Sequence, residues 1–150
     1  MRNEEQKLDS ARIALKIGLG AAAFLAGADK FVGLLADWPH YLAPAVRAML
    51  PVEPATFMSV VGVIEMVVGA AILGPWTRAA SYVAMAWLLA IAGNLVIGGA
   101  FLDIAVRDVE MAIAAYALAR LTEVHAAAAS AAPAEVATTL REAGRVSTAA

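Results

Sequence analysis

Residues 79–102 form a run of 24 residues without a single charged side chain. An α-helix rises about 1.5 Å per residue, so about 20 apolar residues are enough to cross the hydrocarbon core of a bilayer. Of the 150 residues in the chain, 62% are hydrophobic and only 16% are charged. A small water-soluble domain needs more polar surface than this composition supplies. We therefore expect an integral membrane protein, and a soluble enzyme or a nucleic-acid-binding protein is disfavoured.

The hydropathy pattern predicts an all-α fold, a bundle of four transmembrane helices over residues 11–35, 54–77, 79–102 and 103–121. The second span contains one charge, Glu65. The first carries Lys16 and Lys30 near its two ends, where long side chains reach the interface. The fourth span is the weakest prediction, and a buried or interfacial helix is its alternative. Its first half holds four charged residues, Asp103, Arg107, Asp108 and Glu110.

Basic residues near the span ends predict the orientation of the chain. Eight of them would lie on one side of the bilayer, namely Arg2, Lys7, Arg12, Lys16, Arg78, Arg120, Arg141 and Arg145. Three would lie on the other side, Lys30, Arg47 and Arg107. We therefore expect both termini in the cytoplasm and the protein in the plasma (inner) membrane.

Three segments would then lie outside the predicted spans. Residues 1–10 would form a cytoplasmic N-terminal segment, and residues 37–53 an outer loop that three prolines divide into short pieces. Residues 122–150 are rich in alanine, which favours helix. This tail is expected to be either a frayed extension of the fourth span up to Pro133 or a partly disordered arm.

Polar side chains inside the predicted spans are the most informative feature for function. In hydrocarbon an ionisable residue costs several kcal/mol unless it is paired, so it marks a site by default. Counted along each helix from its predicted outer end, these residues lie in the outer half of the bundle, and the inner half contributes almost none. The candidate ligand-binding or proton-relay residues are Lys30, Glu65, Asn94, Arg107, Asp108 and Glu110.

Several pairings of these residues are open. Glu65 has no basic neighbour on its own helix, so it either pairs across the bundle with Arg107 or Lys30 or stays protonated. Asp103, Arg107 and Glu110 share one face of the fourth helix, so Arg107 can pair with either acid. A purely structural network of ion pairs is the alternative to a ligand or proton site.

Three further observations concern packing. Asp108 points about 100° away from the Arg107 face, in a direction that could meet Lys30. Asn94 has an alternative role as a hydrogen-bond tether between helices. Small residues at helical spacing predict close helix contacts, and they are Gly18, Ala22 and Ala26 in the first span and Gly62 with Gly69 in the second.

The composition also limits the chemistry. The chain has no cysteine, so it cannot form a disulfide or hold an iron–sulfur cluster by itself. Its two histidines, His40 and His125, lie far apart in the sequence, and we expect no metal site. We also expect no covalently bound cofactor. Any electron transfer would need a bound quinone or a partner protein.

Three short motifs resemble those of DoxX-type membrane proteins. The first span ends in the run Phe24-Leu25-Ala26-Gly27-Ala28-Asp29-Lys30. The second contains Ile64-Glu65, Gly69, Gly74 and Arg78-Ala79-Ala80, and the fourth opens with Ala105-Val106-Arg107-Asp108. The resemblance covers roughly residues 11–121, and it implies a four-helix membrane bundle with a link to redox physiology. Relatives serve as the membrane subunit of thiosulfate:quinone oxidoreductase or assemble with oxidative-stress enzymes. By position, the polar residues of the family correspond to Lys30, Glu65, Arg107 and Asp108.

Two functional hypotheses follow. The first is a small membrane subunit of a redox or respiratory-type complex that binds quinone or a small acid in an outer polar pocket. The second is a non-catalytic anchor or assembly protein for a partner enzyme. A transporter or proton pathway is less favoured, because polar residues are missing from the inner half. The expected partners are the lipid bilayer and either another protein or a second copy of the chain, with no nucleic acid.

Overall fold

A computed structural model describes the backbone of residues 2–147 and the side-chain surroundings of residues 4 and 6–131. Nearly all of the described residues are helical. The long helices are α1 (Arg2–Val32), α3 (Pro54–Leu73), α4 (Thr77–Gly98) and α5 (Leu102–Ser147). A 3₁₀ turn, Trp38–Tyr41, and the short helix α2 (Pro44–Met49) lie between α1 and α3. The described residues contain no strand, so the predicted all-α class is confirmed.

Among the described residues, three helical segments are long and apolar enough to cross a membrane: Gln6–Val32, Pro54–Leu73 and Thr77–Gly98. Large apolar side chains on all three are more than half exposed, including Ile17, Leu25, Val67 and Ile97. Such surfaces need a lipid environment, and the chain is a multi-pass membrane protein. α5 does not belong to this group, because Asp103, Arg107, Asp108 and Glu110 interrupt its first turns.

The ends of the long helices differ from the predicted spans. α1 begins at Arg2, so residues 2–10, predicted as a separate segment, belong to the first helix. Ion pairs at three-residue spacing, Lys7 with Glu4 and Arg12 with Asp9, favour helix in this polar part. The tail is likewise helical and α5 continues through Pro133 to Ser147, while residues 148–150 lie outside the described part. Of the eight basic residues that predict the orientation, three have side chains that also lie outside the described part: Arg2, Arg141 and Arg145.

The four long helices form a ring in which α1 packs on α3, α3 on α4, α4 on α5 and α5 on α1. Consecutive long helices run in opposite directions, because the segments that join them lie alternately at the two ends: residues 33–53 after α1, 74–76 after α3 and 99–101 after α4. We call the end that carries residues 33–53 the cap end, and the end with the Gly74–Trp76 turn the base end. The main apolar core lies toward the base end and is built largely from small side chains around the fully buried Ile72 and Leu118.

Glycines set the distance between α1 and α3. A Cβ atom added to Gly27 would lie 2.5 Å from the carbonyl oxygen of Gly62, and one added to Gly69 would lie 2.7 Å from that of Gly20. The predicted packing role of Gly62 and Gly69 is confirmed. On α1 the prediction is wrong for Gly18, which has open space around it, and for Ala22, which is exposed. The contact face passes instead through Gly20 and Gly27, which lie about 150° around α1 from the centre of the predicted face.

Gly27→Ala is expected to push α1 away from α3 and to destabilise the protein by about 1–3 kcal/mol, since its Cβ would overlap backbone atoms. The measurement is thermal unfolding in a mild detergent. The matched control is Gly18→Ala, where the new Cβ meets no atom and alanine favours helix, so stability should be unchanged or higher. Equal losses in the two variants would contradict this packing.

Candidate functional site

A buried ion pair joins α1 to α3 near the cap end. Lys30 Nζ, in the last turn of α1, lies 2.5 Å from Glu65 Oε2, in the middle of α3. The two side chains are 4% and 10% exposed. Of the alternatives left open for Glu65, pairing with Lys30 is the one that the structure shows. Removing both groups from water is costly, and their attraction offsets that cost only while both partners are present.

Two tryptophans complete the surroundings of this pair. Trp87 of α4 donates its indole N–H to Glu65 Oε1 at 3.4 Å. The Nζ of Lys30 lies 3.7 Å from the ring centroid of Trp38, a cation–π contact, and also donates to the carbonyl of Ala26. Neither tryptophan was among the candidate site residues predicted from the sequence. The available signal was the indole N–H of Trp87, which needs an acceptor when it lies inside an uncharged span.

Asp108 of α5 is a second buried acid among the predicted residues. Its side chain lies near the charged groups of Arg107, Glu65 and Lys30. Asp108 is turned inward, away from the exposed Arg107, but the ion pairs of the described side chains do not include one between Asp108 and Lys30. We call Lys30, Glu65 and Asp108 the charge cluster. It contains one ammonium group and two carboxyl groups, contributed by α1, α3 and α5, and Trp87 adds a contact from α4.

Asp29 determines how Trp38 meets the cluster. Its carboxylate accepts hydrogen bonds from the backbone N–H groups of Leu34 and Leu35 at 2.9 and 3.0 Å, and from the indole of Trp38 at 2.8 Å. The first two bonds reverse the chain after α1, next to Gly33 with its φ of 68°. The third holds the Trp38 ring over Lys30. Asp29 thus acts as a positioning residue through Trp38.

Asn94 tethers the cap to α4. Its side-chain oxygen accepts a hydrogen bond from the backbone N–H of Ala43 at 3.0 Å, and its amide group donates to the carbonyl of Tyr41 at 2.7 Å. The tether expected as the alternative role for Asn94 is therefore present, although it joins a helix to a loop rather than two spans. Asn94 holds residues 38–43 above the charge cluster.

Arg107 and Glu110 lie on exposed faces of α5. Among the described side chains, the ion pairs do not include Arg107, Glu110 or Asp103, so the predicted pairing along the helix is not observed. α5 turns Asp108 inward, so Arg107 and Glu110, one and two positions away, point about 100° and 200° away from it. The structure brings together Lys30, Glu65 and Asp108, with Asn94 above them, and leaves Arg107 and Glu110 outside.

The chain matches no family model, no curated protein and no solved structure. The resemblance to DoxX-type proteins therefore stays a prediction from the short motifs in residues 24–30, 64–80 and 105–108. The roles of the charge cluster have to be inferred from its geometry and charges.

Lys30→Met is expected to destabilise the protein by about 3–5 kcal/mol, because it leaves Glu65 buried without its cation. The double variant Lys30→Met/Glu65→Met should recover most of this loss, as measured by thermal unfolding in detergent. Lys7→Met is the control, since Lys7 and Glu4 form an exposed pair worth about 0–1 kcal/mol. A double variant no more stable than Lys30→Met would show that the pair does not hold α1 on α3.

Asn94→Leu is expected to loosen the cap, because the N–H of Ala43 and the carbonyl of Tyr41 lose their partner at a cost of about 1–3 kcal/mol. Amide hydrogen exchange should accelerate in residues 38–49 and stay nearly unchanged in α3. Val96→Leu, an exposed position two residues further along α4, serves as the control. Unchanged protection of residues 38–49 in Asn94→Leu would be inconsistent with a tether.

Proposed function

We propose that the chain is a small integral membrane subunit of a redox or respiratory-type complex, and that its charge cluster binds quinone or a small acid. The observation that carries this proposal is the excess of buried acid. The carboxyl groups of Glu65 and Asp108 are both buried, and among the described side chains the ion pair with Lys30 is made by Glu65, not by Asp108.

An ion pair that only holds two helices together does not account for this excess of buried carboxyl groups. Holding α1 against α3 needs one carboxylate, and Glu65 supplies it. A second carboxyl group adds a desolvation cost without adding a pair, so Asp108 marks a functional site. A proton, or a ligand with hydrogen-bonding groups, would complete the cluster.

Quinone chemistry suits such a cluster. Reduction of a quinone to a quinol takes up two electrons and two protons, one proton at each oxygen. Glu65 and Asp108 can deliver protons, and Lys30 can donate a hydrogen bond to a quinone oxygen. The electrons would come from a partner enzyme. A small acid would enter in its neutral form, because the cluster already has more carboxyl groups than bases.

Access to the cluster would involve the cap. Trp38 lies over Lys30, and Trp38 and Trp87 pack against the apolar cluster of Leu42, Met58 and Val61. These side chains separate the charges from water. The cap is attached by discrete hydrogen bonds, to Asp29 and Asn94, and a movement of Trp38 would open the cluster to the membrane interface.

The finer topology belongs to the same proposal. α5 would be the fourth span, since Ala112, Ala115 and Leu118 are buried in the ring beside α1 and α4. Both termini would lie in the cytoplasm, because most of the basic residues are near the base end. The protein would then be in the plasma membrane, with the cap outside.

The second candidate is a non-catalytic anchor or assembly protein, and a different observation favours it. Leu34, Leu35 and Met49 are 83%, 72% and 84% exposed around the cap end. Apolar side chains this exposed at one end of a bundle are typical of contact with another protein or with lipid. A partner enzyme held there would need no chemistry from the charge cluster.

Tryptophan fluorescence tests the quinone proposal directly. Of the three tryptophans, Trp38 and Trp87 touch the cluster and Trp76 lies at the base end. In a Trp76→Phe background, a short-chain benzoquinone should quench the fluorescence saturably. Adding Asp108→Asn should weaken this binding about tenfold, equivalent to about 1.4 kcal/mol, and should preserve thermal stability. Asp103→Asn is the matched control, an exposed acid on the same helix, and it should leave the affinity unchanged.

Two results would contradict the quinone proposal. One is quenching that never saturates, and the other is an affinity that is the same with Asp108→Asn as with Asp103→Asn. A partner enzyme that purifies with the chain in fixed ratio, and is retained by Asp108→Asn, would together with either result support the anchor.

A further inference from the structure

A second polar region lies at the base end, among basic residues that the sequence analysis used only to predict the orientation of the chain. A cavity of about 600 Å³ opens there between the first half of α1, the start of α4 and the middle of α5. Its lining includes Arg12, Lys16, Trp76, Arg78, Tyr82 and Thr122. The cavity is remote from the charge cluster and has no part in the function proposed above.

Bases outnumber acids around this cavity. Arg12 pairs with Asp9, and Arg78 and Arg120 share the single carboxylate of Glu123. Lys16 donates a 3.0 Å hydrogen bond to the carbonyl of Gly74. In the part of the chain with described side chains, its ammonium group has no carboxylate partner. The excess of positive charge makes the cavity suitable for an anion.

The position of the cavity indicates where that anion comes from. Trp76 is 71% exposed in the turn between α3 and α4, and tryptophan prefers the headgroup level of a bilayer. The Arg78 side chain is 67% exposed at the same turn. Lysine and arginine at helix ends extend toward the lipid phosphates at this level. The base-end cavity therefore lies where the phosphate groups of a lipid leaflet would be.

The start of α4 adds hydrogen-bond donors. Thr77, Arg78 and Ala79 form its first turn and all line the cavity. Backbone N–H groups in a first turn have no acceptor within their helix, and they favour an anion together with the helix dipole. The donors of α4 and the ammonium of Lys16 thus meet in one cavity.

We propose that the base-end cavity binds the phosphate group of an anionic phospholipid, held by Lys16 and Arg78. Basic pockets between membrane helices bind such headgroups by charge and hydrogen bonding. The acyl chains would lie along the exposed apolar surfaces of the helices next to the cavity. An ordered lipid at this position would link the first half of α1 to the start of α4.

Thermal unfolding of the full chain in dodecyl maltoside tests this site. Dioleoylphosphatidylglycerol should raise the unfolding temperature, because a ligand bound only to the folded state stabilises it, and dioleoylphosphatidylcholine should raise it much less. The double variant Lys16→Gln/Arg78→Gln should need about 25-fold more phosphatidylglycerol for the same increase, since each base contributes a factor of about five. Lys7→Gln is the matched control, because it removes one exposed charge from α1 outside the cavity and should respond like the native chain.

A second variant and a soluble probe complete the test. Arg78→Gln alone changes a largely exposed side chain, so it should fold even where the double variant does not, and it should weaken the lipid effect about fivefold. Glycerol phosphate, which carries the phosphate without acyl chains, should not raise the unfolding temperature. An equal increase with glycerol phosphate or with phosphatidylcholine, or an unchanged response in Arg78→Gln, would overturn the proposal.

Discussion

An ammonium group removed from water needs a carboxylate, and this requirement determines how α1 and α3 meet. Lys30 reaches Glu65 only because Gly27 and Gly62 let the two helix backbones approach closely. A Cβ added to Gly62 would lie 3.1 Å from the Cβ of Lys30, so the glycine contact and the ion pair are parts of one interface. Trp87 of α4 donates a hydrogen bond to Glu65 of this pair, and α5 contributes the buried Asp108.

The two ends of the bundle carry opposite excesses of charge. At the cap end the carboxyl groups of Glu65 and Asp108 are buried, Glu65 is paired with Lys30, and Trp38 of the cap lies over Lys30. At the base end the bases Arg12, Lys16 and Arg78 line an open cavity at headgroup level. A buried acid excess suits proton or ligand chemistry, and an exposed basic excess suits the anionic surface of a membrane. The same helices would thus serve two different ligands.

Much of the architecture could be predicted, because the length and apolar character of a helix decide whether it can cross a bilayer. The position of Glu65 within its span and the need for a basic partner also followed from the sequence. The rotation of each helix about its axis could not be predicted from the sequence. On α1 this moved the close contact from Gly18 to Gly20 and Gly27, and on α5 it left Arg107 outside the bundle. These helices carry small and apolar residues on several of their own faces. The periodicity of the sequence therefore could not identify which face points into the bundle.

The sequence by itself determined that the chain enters a membrane, which segments are apolar enough to cross it, and which polar residues those segments carry. These properties depend on hydrophobicity and length, which are additive along the chain. Only the tertiary structure decided that Lys30 pairs with Glu65, that Asp29 places Trp38 over Lys30, and that Asn94 tethers the cap. It also decided that bases from two helices meet at the base end. Such contacts join residues far apart in the chain, and they depend on helix rotation and separation, which packing sets.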